Sequence, residues 1–168
     1  MRLYIVRHAK SSWKHAKRQD IERPLNKRGR HDAPLMAAHL AHHGVQPSLV
    51  LLSDSKRTIE TAHALCAGLG LDPQRLNEDH RLYLADAATM CDVLRGAAPE
   101  HAEVMLIGHN PGVTDLVGLL TGTPLDAEVP TMTVATLDIT APSWDQLHTG
   151  CAKLVSCIAP KALQKSAA

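Results

Sequence analysis

The chain has 168 residues, 45% of them apolar, and a formal net charge of +1, which suits one domain with a sizeable core. So small a net charge excludes a general nucleic-acid binder, whose affinity rests on many Lys and Arg contacts to phosphate. No apolar run approaches the ~18 residues of a membrane span.

There is no Phe, with two Trp and two Tyr, so the core must be aliphatic and Ala-rich, as in helices packed on a buried sheet. Cys66, Cys91, Cys151 and Cys157 form no CxxC pair, and reduced thiols acting as small apolar residues are expected. The chain enters directly into a strand rather than a charged-then-apolar signal segment. A cytoplasmic monomer without a cofactor, binding neither nucleic acid nor membrane, is expected.

Leu3-Tyr4-Ile5-Val6 is an unbroken apolar run, the pattern of a strand buried on both faces. It stops on Arg7-His8. Ser11 to Glu22 is polar and aperiodic, with Trp13 as an anchor and Lys14, His15, Lys17 and Arg18 making it basic. Arg23-Pro24-Leu25-Asn26 turns the chain, with Asn26 as N-cap. Leu35, Met36, His39, Leu40 and His43 then recur at helical spacing up to Gly44. His39 and His43 lack an acidic or thiolate companion and read as ordinary helix residues.

Leu49–Leu52 is a second buried strand, and Ser53-Asp54-Ser55 after it can cap a helix that carries Arg57 in its first turn. A helix N-terminus already favours anions. The stretch from Gly68 to Arg81 is turn-rich, with no assignable element. Leu82-Tyr83-Leu84 leads to a helix from Ala87 to Leu94, capped by Asp86. Val104–Ile107 is a third buried strand ending on Gly108-His109-Asn110-Pro111-Gly112, where the two glycines would let the backbone approach a ligand. Thr133 to Ile139 reads as a later strand nearer the sheet edge. A short element near Lys153 to Ile158 follows. One domain over residues 1–160 and a frayed tail over 161–168 complete the expectation.

Three strand ends therefore carry Arg7-His8, Arg57 and His109. A βαβ alternation builds a parallel sheet with right-handed crossovers, and ligands bind beyond the carboxyl ends of such strands. Two imidazoles and two guanidiniums suit one transferring phosphoryl group, whose charge sits on equatorial oxygens. A metallohydrolase using His8 and His109 is disfavoured, because no carboxylate stands at those two strand ends to complete a metal site.

Arg7-His8-Ala9, Ser53-Asp54-Ser55-Lys56-Arg57-Thr58-Ile59-Glu60-Thr61-Ala62 and Gly108-His109-Asn110-Pro111 together resemble the histidine phosphatase superfamily, the phosphoglycerate-mutase-like group. Arg23-Pro24-Leu25, Leu82-Tyr83-Leu84-Ala85 and Val129-Pro130-Thr131 look most like its compact SixA-type phosphohistidine phosphatases. The resemblance implies an α/β three-layer sandwich, a mostly parallel sheet with helices on both faces. It implies His8 as nucleophile, Arg7 and Arg57 as the phosphoryl clamp, and His109 as a donor to the same group. Arg23 matches a pocket arginine of the compact members; Lys10 and Asn110 are further expected substrate contacts. Ala9 stands where a glycine is commoner.

Larger members place a general acid between the second arginine and the last histidine. Here Glu78 and Asp79 are the candidates, and both fit solvated turn acids equally well. An imidazole leaving group makes a strong acid less necessary. The expected activity is metal-independent phosphatase action on protein phosphohistidine. A small-molecule phosphomonoesterase or mutase on the same scaffold stays open, as does a non-catalytic phosphoprotein-binding module, against which the intact His8 and His109 speak. No insertion between Arg57 and His109 could serve as a lid. An open pocket rimmed by Lys10, Lys14, Lys17 and Arg23 is expected.

Overall fold

Strand β1 (Arg2–Arg7) is buried along its centre, and its side chains alternate between two cores. This is a computed structural model, and it describes residues 1–14 and 19–166. His15, Lys17 and Arg18 of the basic loop lie outside the described residues. Leu3 and Ile5 pack with α3 (Ala87–Arg95) and α4 (Gly112–Thr121). Tyr4 and Val6 pack with α1 (Lys27–His42) and α2 (Lys56–Leu69). Helices thus cover both faces of the sheet, because a strand with period-2 side chains and no polar face must be buried twice.

The sheet also contains β2 (Leu49–Leu52), β3 (Leu76–Glu78), β4 (Glu103–Gly108), β5 (Val134–Ile139) and β6 (Ala152–Ile158), in the order β3-β2-β4-β1-β5-β6. The first four of these positions run parallel to one another, and β5 lies antiparallel between β1 and β6. The result is the expected three-layer α/β sandwich.

Four local details differ from the sequence reading. The turn-rich stretch contains β3, a three-residue edge strand too short and too exposed to leave a periodic trace. The element near Lys153 is the edge strand β6, with Leu154 and Val155 exposed. The buried stripe of α1 runs through Ala33, Met36, Ala37 and Leu40, leaving His43 exposed. Residues expected to fray from Lys161 include a short helix, α5 (Pro160–Ser166), whose Leu163 packs beside the α1–α2 core.

The caps at Asn26 and Asp86 form as read: Asn26 Oδ1 accepts from Gly29 N at 2.9 Å, and Asp86 Oδ1 from Thr89 N at 2.8 Å. Ser55 sits at the N-cap of α2 but makes no side-chain cap bond, its hydroxyl pairing instead with Thr58 Oγ1 at 2.6 Å.

Two glycines set distances that matter below. A Cβ on Gly112 would stand 2.0 Å from the Ala85 carbonyl oxygen, and one on Gly29 would stand 2.2 Å from that of Lys10. Gly112 therefore seats the segment before α3 against α4, where the sequence reading expected close approach to a ligand. Among the described residues, no helix is long and apolar enough to cross a membrane.

Candidate active site

Strand register builds the floor of the site. Arg7 lies opposite Gly108 in the β1–β4 pairing, and Leu52 opposite Ile107 in β2–β4. The next residues along are His8, His109 and Ser53, so the three meet beyond one end of the sheet. His8 N donates to the Gly108 carbonyl at 3.0 Å, and the His8 and His109 ring centroids are 5.1 Å apart. Helix α2 joins from the side: Ala9 N donates to Thr61 Oγ1 at 3.0 Å, and Arg57, in the first turn, is only 2% exposed.

Hydrogen bonds define the two imidazole tautomers. A carbonyl can only accept, so His8 Nδ1–H donates to Ala9 O at 2.7 Å and the ring keeps a lone pair on Nε2. A guanidinium can only donate, so Arg57 Nη2 donates to His109 Nδ1 at 3.3 Å, leaving His109 Nε2–H to donate to Ser53 Oγ at 2.9 Å. Burial pulls the His8 pKa down to about 4, the charges of Arg57, Arg7 and Arg23 act the same way, and the Ala9 bond opposes them. Burial likewise lowers His109 to about 3, with His8 and Arg57 adding to it. Both rings are neutral at pH 7, so the His8 ring presents an unprotonated Nε2 without prior deprotonation.

The wall comes from loops. Asp20 opens a single 3₁₀ turn, Asp20–Glu22. Its Oδ2 accepts from Arg57 Nη2 at 3.0 Å and from Tyr83 Oη at 2.7 Å, and its Oδ1 from Arg23 Nη1 at 2.7 Å. Its carbonyl takes Arg57 Nη1 at 2.7 Å. Partial burial works against the ionised carboxyl, but the hydrogen bonds from Tyr83 and Arg23 and the Arg57 charge outweigh it and hold Asp20 well below the usual carboxylate range. Arg23 also donates to Ser12 O and Ser11 Oγ, and its guanidinium lies 3.3 Å above the Trp13 ring centre.

Around these groups is a cavity of about 520 Å³ whose lining includes Arg7, His8, Lys10, Arg23, Arg57, His109 and Asn110. Those seven expected residues are thus brought together. Asn110 Nδ2 and Arg7 Nη1 both donate to Val129 O, at 3.0 and 2.7 Å. The Nε atoms of Arg7 and Arg57 are buried with no partner among the described residues. Orphan cationic donors of this kind are costly unless an anion meets them. Three guanidiniums and Lys10 against one carboxylate leave the cavity net positive, as a phosphoryl group requires. A separate hollow of about 610 Å³, lined by Ile21, Asp54, Ile59 and Glu60 among others, contains none of these groups.

Glu78 and Asp79 do not line the cavity. Glu78 is exposed on β3, and Asp79 is held by Arg81 Nε and Nη2 at 3.0 and 2.6 Å while capping the 3₁₀ turn His80–Leu82. The acidic residue among the described cavity lining is Asp20, which the sequence reading missed along with Tyr83 and Ser53. The proximity of Asp20 to Arg23, three residues on, was the available signal. Of the expected rim, Lys14 faces a different hollow, beside Asn26 and Arg28, and Lys17 lies outside the described residues. Among the described residues no group of three or more His, Cys, Asp or Glu is placed to hold a metal ion.

A parallel-stranded floor that pairs two neutral histidines with the half-buried Arg7 and the buried Arg57 defines a class, and comparison with known proteins agrees with it. The family model described as Histidine phosphatase superfamily (branch 1) matches residues 3–82. Over those residues, just under half of the chain, it is similar to the histidine phosphatase superfamily. The fold is SixA-like. The structure of a SixA protein histidine phosphatase complexed with tungstate superposes with a TM-score of 0.83 at 25% identity, covering 97% of this chain and 99% of that one. An Agrobacterium tumefaciens structure named as a phosphohistidine phosphatase SixA gives a TM-score of 0.81 at 27% identity, covering 95% and 97%. An uncharacterised chloroplastic protein of Arabidopsis thaliana is 29% identical over 153 residues, 86% of this chain and 69% of that protein.

Proposed function

We propose that the protein is a phosphatase that works through a phosphohistidine on His8 and takes protein phosphohistidine as substrate. The observation that carries this reading is the His8 tautomer: Nδ1–H is tied to Ala9 O at 2.7 Å, so the lone pair of the cavity-lining ring is on Nε2.

In the first step His8 Nε2 bonds to phosphorus as the phosphorus–leaving-group bond breaks. Arg7 and Arg57 hold the equatorial oxygens. His109, neutral in the free site, takes the proton that the arriving phosphoryl monoanion carries and donates it back from Nδ1 to the same group, its Nε2–H kept by Ser53. Water then attacks phosphorus, the His8–phosphorus bond breaks to return a neutral His8, both water protons stay on the phosphate product, and His109 gives its extra proton back to solvent as the product leaves.

The substrate assignment follows from the leaving group. Asp20 is held ionised by Arg57, Arg23 and Tyr83, and is poorly suited to protonate an alkoxide. A phosphohistidine substrate whose other ring nitrogen already carries a proton departs as neutral imidazole. The SixA-like neighbours support the same reading, and the free thiols of Cys66, Cys91, Cys151 and Cys157 support action in the cytoplasm.

One experiment tests both parts. Rapid quench with labelled substrate is expected to trap acid-labile, alkali-stable phosphate on the wild type and none on His8→Ala. In the same preparation, kcat/KM for a phosphohistidine protein is expected to exceed that for glycerate or sugar phosphates by at least ~10²-fold, about 2.7 kcal/mol. Label on His8→Ala would move the nucleophile elsewhere. Equal kcat/KM values would leave the His8 chemistry and overturn the protein substrate.

A further inference from the structure

Among the described residues four large apolar side chains stand exposed: Trp13 at 78%, Leu84 at 58%, Val155 at 53% and Leu154 at 42%. The last two lie on the edge strand β6. The first two both line the catalytic cavity.

Neither is a leftover of packing. Leu84 has φ +50°, a left-handed conformation that an L-leucine adopts only at a cost. Its neighbours impose it: Leu82 is fully buried, Tyr83 is bonded to Asp20, and Ala85 presses on Gly112. The chain accepts backbone strain and leaves a leucine in water at the same position. Strain of this kind persists where function uses it. Trp13 is fixed in turn by the Arg23 guanidinium stacked 3.3 Å over its ring, which holds a large apolar surface against the mouth of a charged cavity.

We propose that Trp13 and Leu84 form an apolar docking rim that grips apolar side chains beside the phosphorylated residue of a protein substrate. The proposal rests on the protein-phosphohistidine reading above. Its geometry is a division of labour within one cavity. The floor, lined by Arg7, Arg57 and two histidines, suits the phosphoryl group and nothing apolar. The rim is continuous with that floor, so whatever covers it must be covalently next to the phosphoryl-bearing side chain. A sugar or glycerate phosphate brings only hydroxyls and carboxylates to that position, which leaves Trp13 and Leu84 wet. A peptide with Leu, Met or Val next to the phosphohistidine covers them, and the apolar area removed from water favours its binding.

The test compares two phosphohistidine peptides that differ only in their flanking residues, leucine in one and serine in the other. Wild-type enzyme is expected to prefer the leucine peptide by about tenfold in kcat/KM, the scale of one well-placed apolar contact. In Leu84→Ser and in Trp13→Ser that ratio is expected to fall toward one. Because each variant is judged by a ratio, a general loss of rate does not disturb the reading. Leu84→Asn supplies the second measurement, since asparagine tolerates the left-handed backbone. It is expected to lose the preference while its thermal midpoint matches or exceeds wild type. Equal use of the two peptides by wild type would overturn the docking rim and leave the phosphohistidine reading intact. A lowered midpoint in Leu84→Asn would show that Leu84 serves packing, and would also overturn it. Turnover of neither peptide would overturn the substrate reading, and the rim with it.

Discussion

The floor and the wall of the cavity are built by different means. Arg7, His8, Ser53 and His109 stand where β1, β2 and β4 end, and Arg57 where α2 begins, so sheet register and one helix start fix them. Asp20, Arg23, Trp13, Tyr83 and Leu84 stand on loops and single 3₁₀ turns. They are fixed by one another, through an Asp20 carboxylate that joins Arg57, Arg23 and Tyr83. The floor holds the groups proposed to react, and the wall holds the buried Arg57 guanidinium through Asp20. A floor residue should therefore cost more to change than a wall residue.

The sharpest measure of that difference is Arg57→Lys. Lysine keeps the charge but loses the planar fork that reaches Asp20 and His109 together. A fall in kcat/KM of ~10²-fold, roughly 2.7 kcal/mol, is expected, as for removal of one preorganised donor. A fall of less than about threefold would take Arg57 out of the floor.

Asp20→Asn addresses the wall. Asparagine keeps one oxygen for the arginines and Tyr83 but removes the charge, so Arg57 stays folded in with a weaker partner. A loss of about tenfold in kcat/KM is expected, of the size that a charge-assisted hydrogen bond contributes beyond a neutral one. A loss as large as that of Arg57→Lys would erase the distinction between floor and wall.

The smallest effect expected is that of pH. His8 is lowered from 6.5 to about 4, so it stays unprotonated as pH falls from 7 to 5 and is lost as nucleophile only as pH passes through about 4. With the substrate's own ionisation divided out, kcat/KM is expected to change less than about twofold between pH 7 and 5. An acid limb near 6.5 would mean that the floor is open to water and the depression absent.

The same division decides what could be read from the chain. Leu3–Val6, Leu49–Leu52 and Val104–Ile107 announce buried strands, and a polar residue that ends such a run must lie at the lip of the sheet. His8 and His109 were legible for that reason, and Arg57 because a helix start follows one such run directly. The wall leaves no such trace. Asp20 meets Arg57 across 37 residues and Tyr83 across 63, through contacts that no local period encodes. Glu78 and Asp79 misled for the converse reason: their position between the second arginine and last histidine suited an acid, while Arg81 and a turn cap claim Asp79. Edge strand β3, three residues long, fell below what periodicity can resolve.

The place of β1 in the sheet also governs when the site can exist at all. Its neighbours are β4 and β5, which begin at Glu103 and Val134, although β1 itself is made first. A nascent chain made only as far as residue 100 has no strand to set beside Leu3–Val6. Long-range pairing of this kind is slow, because loop closure precedes the contacts that reward it. His8 therefore leaves the ribosome well ahead of its sheet neighbours and is among the last to find its surroundings. Arg57 and Ser53 wait with it for the arrival of His109. Unfinished chains carry the histidine without the chemistry, and truncation before β4 is expected to abolish phosphoryl capture even where His8, Arg7 and Arg57 are all present.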